Sequence, residues 1–268
     1  MAPRLLRLAT ILAHPDDETF GVGGTLIRYT SDGAECHSLC LTRGERGNNG
    51  RADAPVAPPG RLGETRASEM AEAGRRMGLA SATCLAYPDG GLADVDAEDV
   101  MRAIVRWLRE VRPDVTIVWG PDGGYGHPDH VAAGERALEA IARAASATFA
   151  PELGAAAEVR RCYRTVGSAE DLDLIEQAVP DFAAYIATLP FRPERWTRER
   201  LGAAIDIRAV AERKWHAMEA HRTQRRDLDA WTPIRERAAL FSREEVYLRA
   251  FPNAGGPPLD ADLFVGLR

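Results

Sequence analysis

The feature that most constrains this chain is an apolar run, Leu5 to Ala13, cut off abruptly by His14-Pro15-Asp16-Asp17-Glu18. The tail of the run, Ala9-Thr10-Ile11-Leu12, has the composition of a buried strand. Asp and Glu are poor strand formers and Pro15 cannot donate to a sheet ladder, so the strand must end here. Phe20 to Thr30 then predicts a helix, with Gly23 and Gly24 in its first turns allowing close approach to the sheet. Asp32-Gly33 turns the chain, and Glu35 to Thr42 predicts a second strand. Strand, helix and strand at this spacing form a βαβ unit with a right-handed crossover.

The alternation continues. Leu62 to Met77 predicts a helix, Thr83 to Ala86 a short strand, and Tyr87-Pro88-Asp89-Gly90-Gly91 a turn. Asp96 to Val111 is amphipathic with Asp96 as N-cap, Val115 to Trp119 predicts a buried strand, and Val131 to Ala145 a helix. Between the second strand and the Leu62 helix lies Arg43 to Arg61, rich in Gly, Asn, Pro and Arg, read as a structureless loop that covers a substrate. Beyond Ala150 the pattern weakens: strands are expected at Arg161 to Val166, Ala203 to Ile207 and Glu245 to Phe251, and helices over Glu170 to Leu189 and Ala209 to His221. The expected fold class is α/β, a Rossmann-like doubly wound, mostly parallel sheet with a C-terminal α/β extension that completes the active-site cleft. No linker divides the chain, so 1–268 is read as a single domain, with 1–150 the metal-binding half and 151–268 the substrate side.

Composition narrows the function. With 268 residues, 45% hydrophobic and 28% charged, the chain can bury a sizeable core. A net charge of −6 argues against nucleic acid as partner, since binding it needs a basic face. No apolar run approaches the roughly 20 residues of a membrane span. Met1 to Ala13 has the look of a short signal peptide, but cleavage there would detach the strand that positions His14. Cys36, Cys40, Cys84 and Cys162 form no CxxC pair and read as buried thiols in a reducing, cytoplasmic compartment. A homo-oligomer is compatible with the sequence, which does not set the oligomeric state.

A second cluster, His127-Pro128-Asp129-His130, follows the Val115 to Trp119 run and again precedes a helix. Two strand-end loops carrying His and Asp point to a metal. Catalytic zinc takes three protein ligands and leaves a position for water. His14, Asp17 and His130 fit that as two nitrogens and a carboxylate, leaving Asp16 and His127 as a free carboxylate and imidazole for proton transfer. Such a set also accommodates ferrous iron. The plainer reading is that Asp16 and Asp17 cap a helix and the histidines are core residues; two matched clusters weigh against it. Gly21, Gly23 and Gly24 do not have GxGxxG spacing, so a dinucleotide site is not indicated.

The AHPDDE run at Ala13 to Glu18 with the GGYGHPDH run at Gly123 to His130 resembles the LmbE-like (PIG-L) family of zinc-dependent de-N-acetylases. Weaker similarity runs through Leu41 to Gly44, Arg66 to Gly78, Tyr87 to Leu92 and Lys214 to Gln224. The resemblance implies hydrolysis of an N-acetyl bond on a GlcNAc-containing small molecule, with zinc on His14, Asp17 and His130. It further implies Asp16 as general base, His127 as oxyanion-stabilising acid oriented by Asp129, and Tyr125 polarising the carbonyl. Arg66 and Asp89 match positions that contact the sugar or inositol, and His221 matches a second, more distant pocket histidine on the substrate-binding side. Thr19-Phe20-Gly21 lacks the polar or basic side chain that thiol-pathway members show there, which leaves room for larger conjugates. The competing expectations are an amidase acting on a larger thiol conjugate or N-acyl natural product, and a Rossmann-like binding protein without turnover.

Overall fold

Strand β1 (Arg7–Leu12) lies at the centre of the molecule, flanked on one side by β2 (Glu35–Thr42) and on the other by β6 (Val115–Trp119), parallel to both. The structure, a computed structural model, describes every residue except 1–4, 52, 179–183, 185–186, 189–193, 230–231, 233–242 and 253–257. A two-stranded hairpin, β3 (Gly50–Arg51) and β4 (Ala54–Pro55), interrupts the long loop after β2. The remaining strands are β5 (Ser81–Tyr87), β7 (Arg161–Thr165), β8 (Ala203–Asp206) and β9 (Glu244–Phe251). Seven of them form one sheet in the order β5-β2-β1-β6-β7-β9-β8.

All pairs from β5 to β7 are parallel, and β9 alone runs antiparallel, between β7 and β8. β1 is buried from Leu8 onward and β6 throughout, as strands covered on both faces must be. The chain runs outward from β1 through β2 to β5, then returns to β6 and proceeds the other way. With right-handed crossovers this places helices on both faces. Helices Gly23–Ser31, Leu62–Met77 and Ala211–Met218 contact one another, and Ala97–Val111 contacts Pro128–Ala144. The reversal of winding falls between β1 and β6, and ligands of such sheets bind at the carboxyl ends of the strands at that point.

Several boundaries differ from the sequence expectation. The first crossover is two helices, Asp17–Phe20 and Gly23–Ser31, because Val22 leaves helical geometry (φ −140°, ψ 10°). The helix after β6 begins at Pro128, so Pro128 to His130 form its first turn instead of a preceding loop. Proline is favoured there because its missing N–H has no helical partner to lose. The expected Glu170 to Leu189 helix is present as Ala169–Ala178; residues 179–183, 185–186 and 189 of it lie outside the described residues. The helix ending at Met218 stops short of His221, which precedes a separate 3-10 turn, Arg222–Gln224. Arg43 to Arg61 is not structureless: besides the hairpin, Asn49 bonds Ala57 twice and Asn48 donates to Asp227. Among the described residues no helix is long and apolar enough to cross a membrane, and all four cysteines are free.

Candidate active site

Where β1 ends, the chain turns through His14 to Asp17 in a conformation that costs energy. Asp16 has φ 118°, a region that favours glycine, at a cost of about 1–3 kcal/mol for a residue with a side chain. Asp17 opens the short helix, and its Oδ2 accepts from the Ala13 and His14 backbone N–H and from Trp119 Nε1. That leaves Oδ1 facing His130 Nε2 at 3.3 Å.

The second cluster is set by the turn after β6. Gly123 has φ +62° and lies so close to the helix that a Cβ there would sit 2.8 Å from His130 Cβ. Its carbonyl accepts from His130 Nδ1 at 3.0 Å, which fixes the tautomer and directs Nε2 inward. Trp119 stacks on the His130 ring at 3.9 Å. No sequence signal pointed to Trp119; only its place at the strand end beside both clusters gives it away.

His14 Nδ1 lies 3.1 Å from His130 Nε2 and 3.8 Å from Asp17 Oδ2. A tetrahedral zinc with bonds of about 2.0–2.2 Å spaces its ligand atoms roughly 3.3–3.5 Å apart, so the three donors fit one. With Nδ1 engaged by the Gly123 carbonyl, His130 Nε2 faces His14 Nδ1 and Asp17 Oδ1, an arrangement suited to a cation. His127, with ring centroids 4.8 Å from His14 and 4.7 Å from His130, is close enough to join those two in a metal-holding group. His14, Asp89 and Asp129 form another such group.

That last group is better explained as support for His14. Its Nε2 meets Asp89 Oδ1 at 3.1 Å and Asp129 Oδ2 at 3.2 Å. The carboxylates are also held by backbone N–H groups, Arg46 for Asp89, and Gly90 and Leu92 for Asp129. A carboxylate on the remote nitrogen of a ligating histidine frees the near nitrogen for metal. The Asp129 side chain therefore supports His14, whereas the family resemblance implies that it orients His127. What His127 receives from Asp129 is the backbone N–H, accepted at Nδ1. This leaves Nε2 of a neutral His127 as a hydrogen-bond donor. Tyr125, half-buried, stands edge-on to His130 at 5.1 Å and to His127 at 6.2 Å.

The three residues expected to touch substrate have other surroundings. Arg66 is 3% exposed; it donates to the Gly44 and Pro15 carbonyls and to Asp16 Oδ2 at 3.1 Å. Asp89 is buried and engaged as above. His221 is buried against Glu18 at 2.8 Å. A charged group without solvent needs a partner, and in each case one lies far away in sequence. Thr223 donates twice to buried Glu69, and Gln224 to the Asn48 carbonyl, so the segment after His221 ties down the glycine-rich loop.

Electrostatics divides the acids. Burial pushes Asp16 up to about 7, with the Arg66 guanidinium opposing. Burial also disfavours ionised Asp17, but His130 and His14 outweigh it and hold the carboxyl well below its usual range. For His14 burial is outweighed by Asp129 and Asp89, which raise it to about 10, so a metal there must displace a proton. Burial, with His130 and His14 adding, lowers His127 to about 4. Nearby, Gly47 lies against Arg66 and opens a cleft of about 690 Å³ whose wall includes Asn48, Arg51, Arg226 and Asp229.

A mostly parallel sheet with two His/Asp clusters meeting at its switch point makes a Rossmann-like fold with a candidate metal centre. The chain matches the family described as PIG-L, GlcNAc-PI de-N-acetylase, over residues 9–141. It is 34% identical over 248 residues to a 1D-myo-inositol 2-acetamido-2-deoxy-alpha-D-glucopyranoside deacetylase from Rhodococcus erythropolis, covering 81% of each chain. The chain therefore belongs to the PIG-L de-N-acetylase family and is an N-deacetylase. Among solved structures it is similar to the N,N'-diacetylchitobiose deacetylase from Pyrococcus horikoshii, with TM-score 0.67 and 21% identity, covering 91% of this chain and 83% of that one. It is equally similar to the 4-carboxy-2-hydroxymuconate hydratase from Pseudomonas putida, with TM-score 0.67 and 18% identity over 93% and 98%. The fold alone thus does not choose the reaction.

Proposed function

We propose that this protein is a zinc-dependent hydrolase that removes the acetyl group from an N-acetylglucosamine joined to inositol or a similar polar aglycone. The observation that carries the reading is the spacing of His14 Nδ1, His130 Nε2 and the Asp17 carboxylate, at 3.1–3.8 Å. Zinc held by these three would acidify a water toward neutrality and polarise the amide carbonyl. Asp16, pushed up to about 7 and anchored by Arg66, is matched to accept a proton from water and return it to the leaving amine. His127, neutral and with Nδ1 occupied, offers Nε2–H to the oxygen that gains charge. Tyr125 stands beside it as a second donor to that oxygen.

The substrate reading rests on the Rhodococcus relative's name and on the cleft beside Gly47, large enough for an aglycone. Arg51 and Arg226 on its wall suit hydroxyls or an anionic group, and Asp53 and Asp229 temper their charge. Because Arg66, Asp89 and His221 are buried, we assign them to holding the site rather than touching the sugar. We place the protein in the cytoplasm on its free thiols. The test is amine release by zinc-loaded protein from GlcNAc-inositol, GlcNAc-malate, free GlcNAc and a larger acylated glycoside. Preference for a conjugate is expected; strong preference for free GlcNAc would refute the aglycone subsite, and cleavage of none would refute the substrate class.

A further inference from the structure

The proposed mechanism gives Glu18 no task and His221 only a general part in holding the site, yet both side chains are 0% exposed and bonded to each other. Glu18 Oε1 meets His221 Nε2 at 2.8 Å, across 203 residues of sequence. Its other oxygen, Oε2, accepts the backbone N–H of Asp16 at 2.9 Å. That N–H belongs to a residue in a strained conformation. Among the described residues only Arg112 and Ala150 share a positive φ without being glycine, and both sit at helix ends away from the site.

We infer that Glu18 and His221 are a positioning pair that holds Asp16 in its left-handed conformation, so that its carboxylate is presented to the reacting water. The inference rests on the reading of Asp16 as base. Without a captured N–H, Asp16 would relax toward ordinary φ and swing its carboxylate off line. The rest of the residue is pinned as well. Its carbonyl accepts from Thr19 Oγ1 and from the Thr19 and Phe20 backbone, and its carboxylate from Arg66. The N–H is the point nearest the strained torsion.

Glu18 could not do this alone. A carboxylate removed from water needs compensation beyond one backbone donor, and His221 supplies it. Among the described residues His221 Nδ1 is buried with no hydrogen-bond partner, and Glu18 is the ring's one hydrogen-bonding tie. The ring is delivered by a rigid segment: the His221 N–H bonds the Met218 carbonyl, and Thr223 is fastened to Glu69. A pair that merely filled the core would not need one oxygen reserved for the Asp16 backbone.

The experiment compares metal-loaded wild type, Glu18→Ala, His221→Leu and His221→Gln, the last keeping a donor of similar reach. Exchange of the Asp16 backbone amide is followed by NMR without substrate, alongside metal content, kcat and KM. Glu18→Ala and His221→Leu should keep the metal, exchange the Asp16 amide at least about tenfold faster, and lose about 30-fold or more in kcat with KM within about threefold. His221→Gln should recover most of both losses. Unchanged amide exchange in Glu18→Ala, or kcat within about threefold of wild type at full metal content, would overturn the proposal. Should wild type cleave none of the substrates, the deacetylation reading fails by itself, while amide exchange still decides whether the pair holds Asp16. Should His221→Leu not fold, Glu18→Ala and His221→Gln carry the same comparison.

Discussion

Replacing Asp129 by Asn separates two accounts of that residue. Its carboxylate accepts from three donors: the Gly90 N–H at 2.7 Å, the Leu92 N–H at 3.1 Å and His14 Nε2 at 3.2 Å. An Asn amide of the same shape has one oxygen, so either Leu92 or the Gly90 and His14 pair must face an NH2 group. Each charge-assisted bond is worth about 1.5–3 kcal/mol, and loss of such outer support for a ligand costs about 10–100-fold in metal affinity, or roughly 1.4–2.8 kcal/mol. Asp89 also reaches His14 Nε2, at 3.1 Å, so the single variant should fall near tenfold and the Asp89→Asn, Asp129→Asn double variant should lose more than the sum of the singles. The assay is competition for zinc against a chelator of known affinity, with kcat measured separately at saturating zinc. Unchanged zinc affinity together with a large loss of kcat would refute the assignment to His14 and return Asp129 to His127.

Other consequences concern chemistry and stability. Asp16→Asn should retain metal while losing at least about 100-fold in kcat, since its carboxylate no longer accepts the proton; full activity at equal metal content would contradict its role. Lys214→Met should destabilise the metal-free protein by about 3–5 kcal/mol in urea, because Glu245 stays buried with Gly24 and Thr25 N–H groups but without its cation at 2.7 Å; a change below about 1 kcal/mol would contradict that. Burial pushes the Cys36 and Cys162 thiols up to about 12 from an ordinary 9.0. Their contribution is complete below pH 9 and lost as pH rises toward 12, at about 1.4 kcal/mol per pH unit for each thiol. Urea unfolding in chelator should therefore weaken between pH 8 and 10, less so in Cys162→Ala; a flat profile would refute it.

What could be read from the sequence was local. The β1–helix–β2 unit, the Leu62–Met77 helix and both strand-end clusters announce themselves through apolar runs ended by residues that strands reject. The antiparallel insertion of β9 between β7 and β8 did not, because strand patterning carries no pairing information between strands so far apart in the chain. Side-chain direction was harder still. Arg66 has the look of a ligand-binding arginine, and only the fold reveals that its partners are Asp16, 50 residues away, and two backbone carbonyls. His221 and Glu18, Asp129 and His14 are likewise pairs between distant segments. Glu18 stood inside the motif without an evident task for the same reason.

The central claim is that one metal ion is held by His14, Asp17 and His130, and its most direct test is a crystal structure of the zinc-loaded protein with data on both sides of the zinc absorption edge. The account predicts a single anomalous peak within about 2.0–2.2 Å of His14 Nδ1, His130 Nε2 and an Asp17 oxygen, with Asp89 and Asp129 still on His14 Nε2. A peak between His14 Nε2, Asp89 and Asp129, or one bound by His127 in place of Asp17, would contradict it.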